Sequence, residues 1–393
     1  MPHELLTAAQ AIAPALIADR RAIHQSPELA FEETQTAALV AGRLQALGCS
    51  VQTGVGGTGV VGLLQGARPG RTVLLRADMD SLPIDERGEA PYVSQHPGVM
   101  HACGHDGHTA VLLGAARMLA GRRQDFAGAV KFMFQPAEEG GAGALRMIEQ
   151  GLLDNPKVDA AFALHVDPLR YAGEIATRVG PTMAAADRFE LTVFGTGGHA
   201  ARPHLAVDPV VVAAHIITAL QTLVSREVDP ADPAVLTIGS LTAGNAFNVI
   251  PDTVVLKGTA RSYSPAVRDL LERRMGQVAS GIAQAMRAQT RLDYERLYPP
   301  LVNHQVGVDL VSEVVRDVLG PDALVPRDLM MGAEDFSYLL ERVPGAMFYL
   351  GVRGRDWAEP RPIHSASFDM DERALPVGAA ITTGVALRYL AQP

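Results

Sequence analysis

The first part of the chain alternates apolar runs of β type with helical periodicities. Apolar residues recur at helical spacing near residues 5 to 23 and 34 to 47, and the runs TVLLRAD (72 to 78), AVKFMFQ (129 to 135) and VDAAFALH (158 to 165) read as strands. Helices near 108 to 120 and 141 to 150 are then the crossovers of an α/β layer with a largely buried sheet. From Asp187 the order changes to strand DRFELTVFG, helix 209 to 226, strands AVLTIGSL and DTVVLKGTARS, helix 265 to 287 and strand 290 to 297. That succession, β-α-β-β-α-β, is the split βαβ unit of a small ferredoxin-like domain. Beyond residue 298 the first pattern resumes, with helices near 307 to 318, 335 to 342 and 372 to 390 and a strand at 346 to 352. The expected fold is α/β: a large discontinuous domain (1–185 and 298–393) with a mixed sheet flanked by helices, interrupted by an inserted domain at 186–297.

Length agrees with two domains, since 393 residues exceed the size at which one core keeps growing. With 48% hydrophobic and 20% charged residues, the chain has a globular and not a disordered balance. The net charge of -9 and the scattered Lys and Arg argue against nucleic acid, with the Arg20-Arg21 and Arg122-Arg123 pairs read as solvated helix-end charges. Two cysteines, Cys49 and Cys103, cannot build a disulfide framework, so a reducing, cytoplasmic setting is expected. The N-terminal stretch lacks a basic start and carries Glu4, which makes it an amphipathic helix and not a signal peptide. No apolar run reads as long enough to span a bilayer, and no membrane partner is expected.

Several short segments carry candidate chemistry. Gly54, Gly56 and Gly59 satisfy G-x-G-x-x-G, but the β-type run VVGLLQG follows where a dinucleotide fingerprint requires a helix, so a glycine-rich hairpin is the better reading. HACGHDGH (101 to 108) packs three His, one Cys and one Asp before a helical pattern. It is either a metal site or a polar loop with Asp106 as helix N-cap. Cys103 and His105 are two apart, so in an extended segment both side chains leave the same side. FMFQPAEEG (132 to 140) ends a strand in two adjacent carboxylates, which point different ways: a solvated acidic turn, or one metal ligand beside one base. His165 closes a predicted strand, where ligands of open α/β sheets bind, and His364 lies in a loop before the last helix. Thiolate, carboxylate and imidazoles together suit zinc, manganese, cobalt or nickel. Glu334 and Asp335 are ambiguous between first-turn acids of a helix, the reading favoured for Asp335, and a share in the active site.

LRADMDSLP (75 to 83), MHACGHDGHTA (100 to 110), QPAEEG (135 to 140), GGHAARPH (197 to 204), NVIPD (248 to 252), GTARS (258 to 262), MGAEDFSYL (331 to 339) and IHSASFD (363 to 369) occur together and in order. In these segments, which span essentially the whole chain, the sequence resembles the metal-dependent aminoacylase/carboxypeptidase family, specifically its hippurate hydrolase and auxin-conjugate (indole-acetyl amino acid) amidohydrolase group. The resemblance implies a metallopeptidase-like large domain, a lid and dimerisation role for the inserted domain, and a homodimer or dimer-based oligomer. It implies two divalent metal ions held by Cys103, His105, Glu139, His165 and His364, with Glu138 as general base and His199 as oxyanion donor. It also implies that Asn248 and Arg261 bind substrate; on local pattern alone they read equally well as a strand-end turn and a surface salt bridge. An Arg fork matches a free carboxylate, so the implied substrate is a small N-acyl amino acid, hippurate-like or N-acetylated, cleaved to a carboxylic acid and an amino acid. The wider clan carries His-x-Asp where this chain has Asp78-Met79-Asp80; that leaves a ligand role for Asp78 in doubt and Asp80 as an orienting carboxylate. Rival expectations are a dipeptidase or carboxypeptidase acting on unblocked peptides, and a non-catalytic binding homologue.

Overall fold

The computed structural model describes residues 2–392, which divide into two units. The first comprises Met1–Gly180, Val302–Asp328 and Asp335–Pro393; the second comprises Pro181–Leu301 and Leu329–Glu334. The short return to the second unit was not anticipated from periodicity. It follows from backbone pairing: Met330 N–H donates to Thr182 O at 3.1 Å and Met330 O accepts from Ala184 N at 3.2 Å.

In the first unit, helices α1 (Pro2–Ala11), α2 (Ala13–Gln25) and α3 (Thr34–Ala46) precede strands β1 (Ser50–Val55), β2 (Gly59–Gln65) and β3 (Arg68–Asp78). Helix α4 (His105–Ala120), β4 (Ala127–Gln135), α5 (Gly143–Glu149), β5 (Ala160–Tyr171) and β6 (Ile175–Thr177) follow. The single helix expected near 5 to 23 is two, because Pro14 has no N–H for the preceding turn and suits only the start of a new helix. The helix expected at 335 to 342 shrinks to Ser337–Leu340. Gly56 lies in the turn between antiparallel β1 and β2, and Gly54 at the register shift near the end of β1, both left-handed, as the hairpin reading requires.

The strands form an eight-stranded mixed sheet in the order β1-β2-β4-β3-β5, then Gly345–Arg353, β6 and Leu324–Pro326. Strands β3, β4, β5 and Gly345–Arg353 run parallel, so their C-terminal ends share one edge. Their runs are buried on both faces, as in a sheet covered by helices on each side. Helix α4 is buried along nearly its whole length and packs with α2 and the last helix, Leu375–Leu390.

The second unit is a four-stranded antiparallel sheet with helices Pro209–Thr222 and Pro265–Ala285. In spatial order its strands are Ala234–Ala243, Thr253–Ser262, Ala185–Phe194 and Gln289–Arg296, the arrangement a split βαβ unit produces. Asp208 and Ser264 cap the two helices by accepting from Val210 N and Val267 N. Contrary to the expectation of no spanning run, Pro209–Glu227 is long and apolar enough by length and composition. Its apolarity is used within the unit, where Val212, Ile216, Leu220 and Leu223 pack on the sheet.

Candidate metal centre

The parallel strands deliver their chemistry to one edge. Asp78 ends β3 and Asp80 follows it, Glu138 and Glu139 follow β4, His165 lies midway along β5 and not at its end as the sequence suggested, and His105 opens α4. One donor atom from each of Cys103, His105 and His165 lies within 4.8 Å of the other two, and the same holds for Cys103, Glu139 and His364. The structure therefore brings together all five side chains singled out in the sequence, with Cys103 common to both groups. Glu138 joins them through a third group, with His105 and Glu139.

Cys103 and His105 do not converge by lying on an extended segment, as their spacing suggested. Gly104 between them is left-handed (φ 83°) and is the N-cap of α4, so a turn swings the two side chains together. A Cβ on Gly104 would lie 2.6 Å from Val166 Cγ2, so any larger residue would displace that side chain as well as strain the left-handed backbone. Gly104, and not Asp106, therefore occupies the cap position. The His364 loop is tied to this turn by His364 N donating to Ala102 O at 2.7 Å, and His364 itself is left-handed (φ 59°).

The imidazoles are oriented by their second nitrogens. His105 Nδ1–H faces Asp80 O at 2.9 Å and Asp80 Oδ1 at 3.2 Å, which leaves Nε2 buried without a hydrogen-bond partner of good geometry. His165 Nδ1–H donates to Val166 O at 2.7 Å, and its Nε2 lies 3.6 Å from Cys103 Sγ. Asp80 also accepts from Glu139 N through Oδ2 at 2.9 Å, so one carboxylate orients a histidine and the acidic turn together. His364 Nε2 lies 3.0 Å from Glu139 Oε1, and contact with Cys103 and Glu139 pushes its pKa up to about 10. Burial pushes the Cys103 thiol up, while His105 and His364 draw it back toward thiolate. A soft thiolate, a carboxylate and imidazoles with inward lone pairs are a donor set that fits divalent transition metals.

Around this set lies a buried ionic layer that the sequence did not reveal. Arg76, fully enclosed, donates to Gln135 Oε1 at 2.8 Å, Asp78 Oδ2 at 2.8 Å and Asp335 Oδ1 at 3.1 Å. Asp335 also accepts from Gln135 Nε2 and from Ala144 N, so it is a tie between strand ends and not a first-turn helix acid. Arg20 is likewise no solvated helix-end charge. It is fully buried and donates to Asp106 Oδ2 at 2.7 Å, while His24 Nδ1 reaches the same oxygen at 2.8 Å. Burial alone would raise the Asp106 pKa; Arg20 and His24 instead hold it far below the carboxylate range.

The remaining candidates, His199, Asn248 and Arg261, belong to the second unit. His199 pairs with Val249 in a short ladder, and Ala200 N donates to Asn248 O at 3.1 Å, so His199 and Asn248 share one end of the unit. His199 Nδ1 accepts from Ala201 N at 3.1 Å, which leaves Nε2 as the proton-bearing donor. Arg261 is elsewhere: it pairs with Ala186 at the far end of the strand that begins at Thr253. Eight residues of extended chain put it roughly 25 Å from that turn. It is half-buried and feels the charge of Asp187, but among the described residues its side chain makes no hydrogen bond or ion pair.

Comparison with known proteins agrees with this geometry. The chain is 41% identical to N-acetyl-L-cysteine deacetylase of Bacillus subtilis, over 92% of this chain and 84% of that protein. It is 41% identical to IAA-amino acid hydrolase ILR1-like 5 of Arabidopsis thaliana, over 95% and 86% of the two chains. Among solved structures, the Bacillus subtilis YXEP protein, described as a dinuclear metal binding peptidase from the M20 family, superposes with a TM-score of 0.85 at 33% identity, covering 97% of this chain and 99% of that one. The model for Peptidase family M20/M25/M40 matches residues 74–388, which takes in every candidate residue of the centre, and the chain is a metal-dependent amidohydrolase belonging to that family.

Proposed function

We propose that this enzyme cleaves the amide bond of N-acyl amino acids, releasing a carboxylic acid and a free amino acid. The observation that carries the reading is the gathering of buried Cys103, His105 and His165 with half-buried Glu139 and exposed His364, Glu138 being in reach. We assign the five as ligands of two divalent ions, of zinc, manganese, cobalt or nickel type. Two such ions supply Lewis-acid polarisation of the carbonyl and a water acidic enough to be deprotonated near neutral pH. Glu138 takes that water's proton and returns it to the leaving nitrogen. His199 donates from Nε2 to the oxyanion of the tetrahedral intermediate. Asn248 and the unpartnered Arg261 fork hold the substrate's free carboxylate. Two free, buried cysteines agree with a cytoplasmic setting.

An amino-acid-sized substrate cannot touch both His199 and Arg261 of one chain across about 25 Å of strand. This supports a homodimer in which a second copy completes each site through the lid unit. Candidate contacts are the edge strand Ala234–Ala243, with Leu241 exposed, and the exposed Val210 and Val211 of the neighbouring helix. Mixing inactive Glu138→Ala and His199→Ala chains in equal amounts is expected to restore about a quarter of wild-type activity, because half the dimers are mixed and each has one intact site. Activity confined to the parental background would show that His199 acts within its own chain. The substrate class is tested by comparing hippurate, N-acetyl amino acids, indole-acetyl amino acids and unblocked dipeptides. Blocked amino acids are expected to react fastest; a preference for free-amine dipeptides would make the enzyme a peptidase instead.

A further inference from the structure

His108 has no part in the ligand set or in the proton transfers above, yet it is 1% exposed and both its ring nitrogens are engaged. Nδ1 lies 2.6 Å from Asp78 Oδ1, and Nε2 accepts the Val166 N–H at 2.9 Å. A ring nitrogen that accepts an amide hydrogen carries no proton of its own. The proton is therefore on Nδ1 and donated to Asp78, so two partners of opposite demand select one tautomer. Asp78 is held in turn: its other oxygen takes Arg76 at 2.8 Å, and its backbone carbonyl takes the Thr109 hydroxyl at 2.9 Å. Both carboxylate oxygens of Asp78 are thus engaged in the buried network.

The line of bonds runs from Arg76 through Asp78 and His108 to the Val166 amide, one peptide from His165. The sheet explains why a side chain is needed there. The register between β3 and β5 ends at Arg76 and Ala163, so beyond that point this edge of β5 has no strand to pair with. His108 Nε2 supplies the acceptor that the ladder no longer provides. The His108 and His165 rings meet with centroids 4.5 Å apart at 62°, and His165 Nδ1–H is bonded to the carbonyl of the same Val166. The residue that His108 anchors thus also sets the direction of His165 Nε2.

We propose that His108 is a positioning residue for the metal centre: a neutral imidazole that ties the Val166 peptide to the Arg76–Asp78 pair and so fixes the ring of His165. The proposal rests on the reading of His165 as a ligand. It also gives Asp78, which stands where the wider clan has a histidine, a purpose exerted through His108.

The test uses the full-length chain loaded with Co²⁺, in wild type, His108→Leu and His108→Gln, and reads cobalt affinity by chelator competition together with the visible absorption bands. Leucine fills the volume with neither bond, and is expected to weaken the tighter-held cobalt about 10- to 100-fold and to shift the bands. Glutamine carries a donor and an acceptor about as far apart as the ring nitrogens, and is expected to stay within about threefold of wild type. Wild-type affinity and bands in His108→Leu would overturn the proposal while leaving the metal centre intact, and equal losses in both variants would overturn it too, because a donor and an acceptor would then not restore the site. A wild type that binds no cobalt would sink the metal centre and this inference together. Should His108→Leu fail to fold, a neutron crystal structure of the wild type decides: a proton on Nδ1 supports the assignment, and one on Nε2 refutes it.

Discussion

Glu138→Ala is expected to lose about 10²- to 10⁴-fold in turnover, the usual worth of a general base, while keeping the wild-type metal content. The division between the two adjacent carboxylates underlies this. Glu139 faces His364 at 3.0 Å and groups with Cys103, whereas Glu138 is buried beside His105 without belonging to the Cys103 groups. The turn that separates them is built by the backbone: Ala137 and Gly140 are both left-handed, and Ala137 N and Glu139 N are pinned by the carboxylates of Glu33 and Asp80. Removing the Glu138 side chain therefore leaves the scaffold of the turn standing. Elemental analysis beside steady-state rates checks the prediction. Unchanged turnover would remove Glu138 from the reaction, and loss of metal with loss of turnover would make it a ligand.

Arg20→Leu is expected to destabilise the protein by about 3–5 kcal/mol, because it takes the guanidinium from the buried Asp106 carboxylate and leaves His24 to balance it. An exposed ion pair would cost about 1 kcal/mol or less, so the magnitude itself separates the two readings of Arg20. The guanidinium is fully enclosed, reaches Asp369 and Glu372 at 3.3 Å besides Asp106, and lies 4.6 Å from the Tyr92 ring. It thereby connects α2, the first turn of α4 and the segment that follows His364. Replacing both partners, Arg20→Leu with Asp106→Leu, is expected to recover much of the loss, since no charge is then left unpaired. Denaturant unfolding of the single and double variants measures this. A single-variant loss near 1 kcal/mol would mean that water reaches Asp106.

How far the sequence could be read depended on the range of the interaction. Strands such as 72–78 and 129–135 were legible because runs buried on both faces are continuously apolar, a local property. The two-helix start was missed because apolar spacing continued across Pro14, while the backbone could not. Asp335 and Arg20 were misjudged for one reason: a charged residue next to a helix end looks the same in sequence whether water or a buried partner faces it. Their partners lie 259 and 86 positions away, in Arg76 and Asp106. A cue existed for Arg76, a charge inside the otherwise apolar TVLLRAD, since a buried arginine requires an acid.

By itself the sequence determined the two-part α/β organisation, the donor types of the centre and the family, because periodicity and short motifs are carried by neighbouring residues. Only the tertiary structure decided which donors meet, which nitrogen of each histidine is free, and that Arg261 lies far along its strand from His199. Those outcomes depend on strand order, on the turn at Gly104 and on hydrogen-bond partners distant in the chain, and no local pattern of residues encodes them.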